Sequence, residues 1–194
     1  MGAAAITAHL TLASASPRRR ELLARLDMVP DAVIPADIDE TPHKNELPRA
    51  YVMRMGREKA LAVSAQGFVL AGDTVVAVGR RILPKTETEA EARACLNLMS
   101  GRRHQVLSSV VLRAPDGSLR ERLCENIVHF KRLSAEEITA YLAGGEWQGK
   151  AGGYAIQGAA EGLIEWIRGS HSGVMGLPLH ETRALLKAAG FPIA

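Results

Sequence analysis

Two cysteines in 194 residues leave no disulfide framework to read. Cys95 and Cys124 fall in segments with helix and strand character, which points to buried thiols in a reducing compartment. Aromatic residues make up only 4% of the chain, too few for the stacking platforms of a single-strand nucleic-acid binder. Neither sign of charge dominates: 24 Lys and Arg meet 21 Asp and Glu, and the basic residues are scattered rather than gathered into a stripe. Nucleic acid is therefore not an expected partner. No stretch approaches the roughly 20 apolar residues of a membrane span, and no basic start precedes a long apolar run. The expectation is a cytoplasmic protein without a membrane partner. The six histidines show no metal-ligand spacing, and Gly-x-Ser-x-Gly, P-loop and dinucleotide patterns are all missing.

What is present is an alternation of helix-like and strand-like segments. Residues 6–13 read as a short strand, 29–38 as extended, 48–65 as a helix and 68–78 as a buried strand. Val78-Gly-Arg-Arg81 has turn character before Ile82-Leu83, so a hairpin is expected. A helix follows over 87–99, starting after Thr86 or Thr88, then strands over 105–113 and 119–130 joined around Pro115-Asp-Gly117. Ser134-Ala-Glu-Glu137 is a capping-box pattern opening a helix to 142, and Leu177-Pro178 opens a last one to 189. Strands interleaved with helices, with antiparallel hairpins inserted, predict an α/β fold with a mixed sheet.

The most informative stretch is Leu12-Ala-Ser-Ala-Ser-Pro-Arg-Arg-Arg-Glu-Leu-Leu23. Ser16 and Pro17 read as N-cap and first helical residue, which puts Arg18, Arg19 and Arg20 in the first turn. Cations there oppose the positive end of the helix dipole, at about 0.3–1 kcal/mol each. A bound polyphosphate offsets this, taking hydrogen bonds from free amides, from the Ser14 and Ser16 hydroxyls and from guanidinium groups. The competing reading is a solvated basic helix start.

Asp73 sits between the apolar runs Phe68-Val-Leu-Ala71 and Val75-Val-Ala-Val78, so it needs a partner. A general base or metal ligand fits, as does an ion pair made for structure alone. Asp37-Ile-Asp-Glu40 is an acidic cluster suited to a hard divalent cation, or else a solvated loop. Lys59 and Lys85 are of interest only if a triphosphate requires cations converging from several elements. Gly149-Lys-Ala-Gly-Gly-Tyr-Ala-Ile-Gln-Gly158 reads as a loop that brings backbone close to a ligand, with Lys150, Tyr154 and Gln157 as polar contacts. His104, in Gly101-Arg-Arg-His-Gln-Val106, reads as a strand-entry residue rather than a ligand.

Taken in order, the Leu12–Leu23 motif, Asp37-Ile-Asp-Glu-Thr41, Arg57-Glu-Lys-Ala60, Gly72-Asp-Thr-Val75, Ser100-Gly-Arg-Arg-His-Gln-Val106, Gly149 to Gly158 and Gly176-Leu-Pro-Leu179 resemble the Maf family of nucleoside triphosphate pyrophosphatases. The resemblance covers nearly the whole chain. It implies one domain over 1–194, a two-lobed elongated fold with a deep central groove, akin to inosine triphosphate pyrophosphatases. By motif position, Ser14, Arg18 and Arg19 would bind phosphates, while Glu40 and Asp73 would serve a divalent cation, Mg or Mn, and the attacking water. Lys59, Lys85 and Gln157 would complete the site, with Asp73 as general base. The Lys-Ala-Gly-Gly-Tyr-Ala-Ile-Gln run resembles the branch acting on dTTP and UTP, whereas the 7-methyl-GTP branch usually carries Glu at the Gln157 position. An amide matches a uracil or thymine edge, while a carboxylate suits a cationic methylated purine. A nucleotide-binding regulator of septum formation is the competing class, and the resemblance leaves room for a homodimer.

Overall fold

In a computed structural model describing residues 8–193, seven strands form one mixed sheet. The strands are β1 (Leu10–Leu12), β2 (Ala32–Val33), β3 (Phe68–Val78), β4 (Arg81–Leu83), β5 (Arg103–Arg113), β6 (Leu119–Phe130) and β7 (Ile164–Arg168). The helices are α1 (Pro17–Ala24), α2 (Pro48–Ala62), α3 (Glu89–Met99), α4 (Ala135–Ala143), α5 (His171–Met175) and α6 (Leu179–Ala188). The strand order is β2-β1-β3-β5-β6-β7, with β4 paired to β3. β1 runs parallel to β2 and β3, and the remaining pairs are antiparallel.

β3 is apolar along most of its length because both of its faces are covered. Phe68, Leu70 and Val76 join the larger core with α1, α3, α4 and α6, whereas Val69, Ala71 and Val75 pack on the other face toward α2. Strand alternation carries the same division into β5, where Val106, Val110 and Leu112 face the large core and Leu107 and Val111 face α2. Asp73 therefore points to the α2 side and Thr74 to the opposite side. β5 covers one edge of β3 from Val69 to Ala77. On the other edge, β1 pairs only as far as Leu70, and β4 begins only at Val76. The stretch between them, which holds Asp73 and Thr74, lacks a strand neighbour on that edge.

Several local expectations hold. The extents of β3 and β6 match those read from sequence, and α4 opens with the expected reciprocal capping box between Ser134 and Glu137. Both cysteines are free and buried, and burial pushes both thiols up. His104 enters β5 and is buried against Tyr154, with burial lowering its pKa to about 4, so it is neutral. Among the described residues, no helix is long and apolar enough to cross a membrane.

Other boundaries move. Ile6 and Thr7 lie outside the described residues. The extended segment expected at 29–38 forms only the two-residue β2, since its partner β1 is short and Pro30 and Pro35 cannot donate to a ladder. α2 ends at Ala62, while α3 starts at Glu89, after the second of its two expected caps, behind a Thr88–Glu91 capping box. Pro178 caps α6, whose first residue is Leu179. The glycine-rich span 144–176 contains β7 and α5, neither of which was expected. β7 owes its form to pairing with β6, a non-local cause.

Gly56 lets α2 lie close to β5: a Cβ there would stand 2.5 Å from Ser109 Oγ and 3.0 Å from Val111 Cγ2. Gly56→Val should cost about 1–3 kcal/mol through overpacking, read as a lower urea midpoint with an unchanged m-value.

Candidate active site

The free stretch of β3 opens onto a cavity of about 440 Å³. Its lining brings together Ser14, Arg18, Arg19, Glu40, Lys59, Asp73, Lys85 and Gln157, the residues that the family resemblance assigns to the site. They come from the loop after β1, the start of α1, the loop before α2, α2 itself, β3, the segment after β4 and the glycine-rich loop.

One wall is acidic at its base and neutralised by lysine. Asp73 is only 4% exposed, and its Oδ1 accepts from Lys59 Nζ at 2.7 Å. The same ammonium lies 2.7 Å from Glu40 Oε1, while Glu40 Oε2 accepts from Lys85. Lys59 is itself buried on α2, whose packing against β3 delivers it to the strand carboxylate. Partial burial opposes ionisation of Glu40, but the hydrogen bonds from Lys59 and Lys85 outweigh it and bring its pKa down to about 2. The acidic cluster Asp37-Ile-Asp-Glu40 does not act as a unit. Asp37 and Asp39 are exposed, and Asp39 accepts the Thr41 N–H at 2.8 Å as a turn residue. Only Glu40 enters the site.

The other wall carries cations and amides. α1 has no acidic residue in its first turn, and the side chain of Ser16 makes no capping bond. Ser16 is nevertheless the N-cap residue, as expected, and lines the cavity. Ser14 Oγ instead accepts from the Ser16 N–H at 3.2 Å and from Arg19 Nη1 at 2.9 Å. Arg19 is buried, with Nε donating to the Gly176 carbonyl at 2.8 Å and Nη2 reaching Thr74 Oγ1 at 3.4 Å. Burial lowers its pKa while Asp73 and Glu40 raise it. Arg18 is half-buried on this wall, its pKa lowered first by burial and then by Arg19. Arg20 points outward and lines nothing here.

Two residues of the site, Tyr51 and Thr74, carried little signal in the sequence, whereas Lys150 was read there as a polar contact. Tyr51, which fits the apolar helix spacing, donates from its hydroxyl to the Glu40 carbonyl at 2.8 Å and so fixes the acidic loop. Thr74 lines the cavity beside Asp73. Lys150 also lines it, and burial and the neighbouring Arg18 lower its pKa. The glycine-rich loop is laced to the segment after β4: Thr86 N–H donates to the Lys150 carbonyl at 3.1 Å, Gly149 N–H to Thr86 at 2.8 Å and Gly152 N–H to Pro84 at 2.9 Å. Gly152 and Gly153 both have positive φ and sit against Val76 and Ala92, where a side chain would not fit. Tyr154 lines the cavity with its ring, while its hydroxyl is taken by His104 at 2.8 Å. Gln157 is exposed at the cavity wall.

The family model for Maf-like protein matches residues 9–189. The chain belongs to the Maf-like family. A dTTP/UTP pyrophosphatase of Novosphingobium aromaticivorans is 62% identical over 188 residues, covering 95% of this chain and 94% of that protein. One of Rhodospirillum rubrum is 58% identical over 185 residues, covering 94% and 88%. Among solved structures, a HAM1 protein from Coxiella burnetii aligns with a TM-score of 0.50 at 17% identity, covering 94% of this chain and all of that one, and so shares the fold.

In this Maf-like chain, the lowered Glu40 makes a prediction about pH. A carboxyl whose folded pKa is below its ordinary 4.5 contributes stability that is present above that value and lost as pH falls toward about 2. The urea-midpoint advantage of the wild type over Glu40→Gln should therefore be constant above pH 5 and shrink across that acid window. Chemical denaturation of both proteins at pH 6, 4 and 3 measures it.

Proposed function

We propose that this chain hydrolyses dTTP and UTP between the α- and β-phosphates, giving the nucleoside monophosphate and pyrophosphate. The observation that carries the reading is the pairing of walls in one cavity: a buried carboxylate held by Lys59 faces a helix start that carries arginines and no acidic residue in its first turn. Relatives from 53% to 62% identical over most of the chain bear the name dTTP/UTP pyrophosphatase, and their reaction fits this charge arrangement.

Arg18, Arg19 and Ser14 receive the phosphate oxygens, with forked guanidinium donors suited to that geometry. Asp73 accepts the proton of a water molecule as its oxygen attacks the α-phosphorus. The bond from that phosphorus to the bridging oxygen breaks, and pyrophosphate leaves with the electron pair. Lys59 orients Asp73, and Lys85 holds Glu40. Gln157 offers both a donor and an acceptor to a uracil or thymine edge.

Glu40 and Asp73 supply hard oxygen donors that fit a divalent cation, Mg or Mn. Among the described residues, no third His, Cys, Asp or Glu joins them, so phosphate and water would have to complete the shell of such an ion. When bound, the cation neutralises charge growing on the phosphate oxygens. The reading places one domain's two lobes on either side of the cavity and the enzyme in the cytoplasm.

The test is a panel of dTTP, UTP, CTP, GTP and 7-methyl-GTP with magnesium or manganese, with products separated by ion exchange. Monophosphate and pyrophosphate should form from dTTP and UTP, chelation should abolish turnover, and Asp73→Asn should lower kcat by about 10²–10⁴-fold. Preferred turnover of 7-methyl-GTP would move the chain to the other branch, and turnover of none would overturn the enzyme reading.

A further inference from the structure

Ser108 and Ser109 lie side by side in β5, both with 0% exposure, in the otherwise apolar run Val106-Leu-Ser-Ser-Val-Val-Leu112. Adjacent strand residues point to opposite faces, so the two hydroxyls serve different walls of the cavity. Ser109 faces α2. Its Oγ accepts the Asp73 N–H at 3.1 Å and donates to the Val52 carbonyl at 2.7 Å. It thereby ties the strand that carries Asp73 to the helix that carries Lys59. Gly56, one turn after Val52 on α2, leaves room for that contact.

Ser108 faces the other way. It donates to the Gly173 carbonyl at 2.7 Å, so it accepts from the Thr74 hydroxyl at 2.8 Å, and Thr74 in turn accepts from Arg19 at 3.4 Å. This chain of hydrogen bonds runs from the cation wall, past β3 and β5, to α5. Each link polarises the next, which favours one fixed arrangement.

We propose that Ser108 and Ser109 are positioning residues that hold the two walls of the site in register: Ser109 sets the Lys59–Asp73 pair, and Ser108 sets Arg19. The proposal rests on the pyrophosphatase reading above and assigns each hydroxyl a separate kinetic consequence. Ser109→Ala should lower kcat by about ten- to a hundred-fold, the scale of a slightly misplaced catalytic group, with KM little changed. Ser109→Thr, which keeps the hydroxyl, should restore kcat. Ser108→Ala should instead raise KM for dTTP about ten-fold and leave kcat close to wild type, the signature of lost ground-state binding.

Urea unfolding reads the same links without turnover. Ser109→Ala combined with Lys59→Met should be non-additive in midpoint, and Ser108→Ala combined with Lys59→Met additive. Alanine variants that share one kinetic pattern, or additivity in both pairs, would overturn the proposal. An inactive wild type with the expected pattern of coupling would overturn the pyrophosphatase reading and leave the positioning roles intact.

Discussion

The site depends on one buried ammonium group. Lys59 bridges Asp73 and Glu40 at 2.7 Å each, and all three would be costly to bury alone. Removing one partner of such a pair commonly costs about 3–5 kcal/mol, while replacing the whole set by apolar groups is often neutral. Retaining ionised groups there therefore has little value for stability as such. Its value is a carboxylate fixed in place, ionised and turned toward a cavity. Lys85 extends the network to the exposed side of Glu40, so charge on this wall is balanced before any ligand arrives.

That network could be built only because β3 loses its neighbour on one edge. β1 ends opposite Leu70 and β4 begins opposite Val76, so the strand is rigid from β5 while its other edge admits a ligand. The chain leaving β1 turns at once into the loop of Ser14 and the start of α1, which places the positive end of that helix and Arg18 across the cavity from Asp73. A parallel strand followed by a helix start is a general solution to anion binding, and here it shares a cavity with a carboxylate.

The same economy shows in the loops. The segment carrying Lys85 and the loop carrying Lys150 are joined by a short backbone ladder around the fully buried Thr86, so two cations from distant parts of the chain are set as one unit. Glycine at 152 and 153 is required both by positive φ and by contact with Val76 and Ala92.

Much of this was legible in the residues. The period-two and helical spacings fixed β3, β6, α2 and α4 to within a few residues, because those elements have faces that local pattern encodes. Arginines at a helix start and a carboxylate inside an apolar strand marked the site, since each is unfavourable without a partner. The grouping of the remaining motifs came from family resemblance. What the sequence alone could not decide was which partner each group takes. Ser14 takes the Arg19 guanidinium and the Ser16 N–H, Glu40 separates from Asp37 and Asp39, and β7 exists through pairing with β6. Ser108 and Ser109 divide between two walls only once the sheet has faces. These outcomes rest on contacts between residues far apart in the chain, and such contacts are set by how α2 and β5 pack on β3. Local propensity determines which elements form, while tertiary packing determines which polar groups meet.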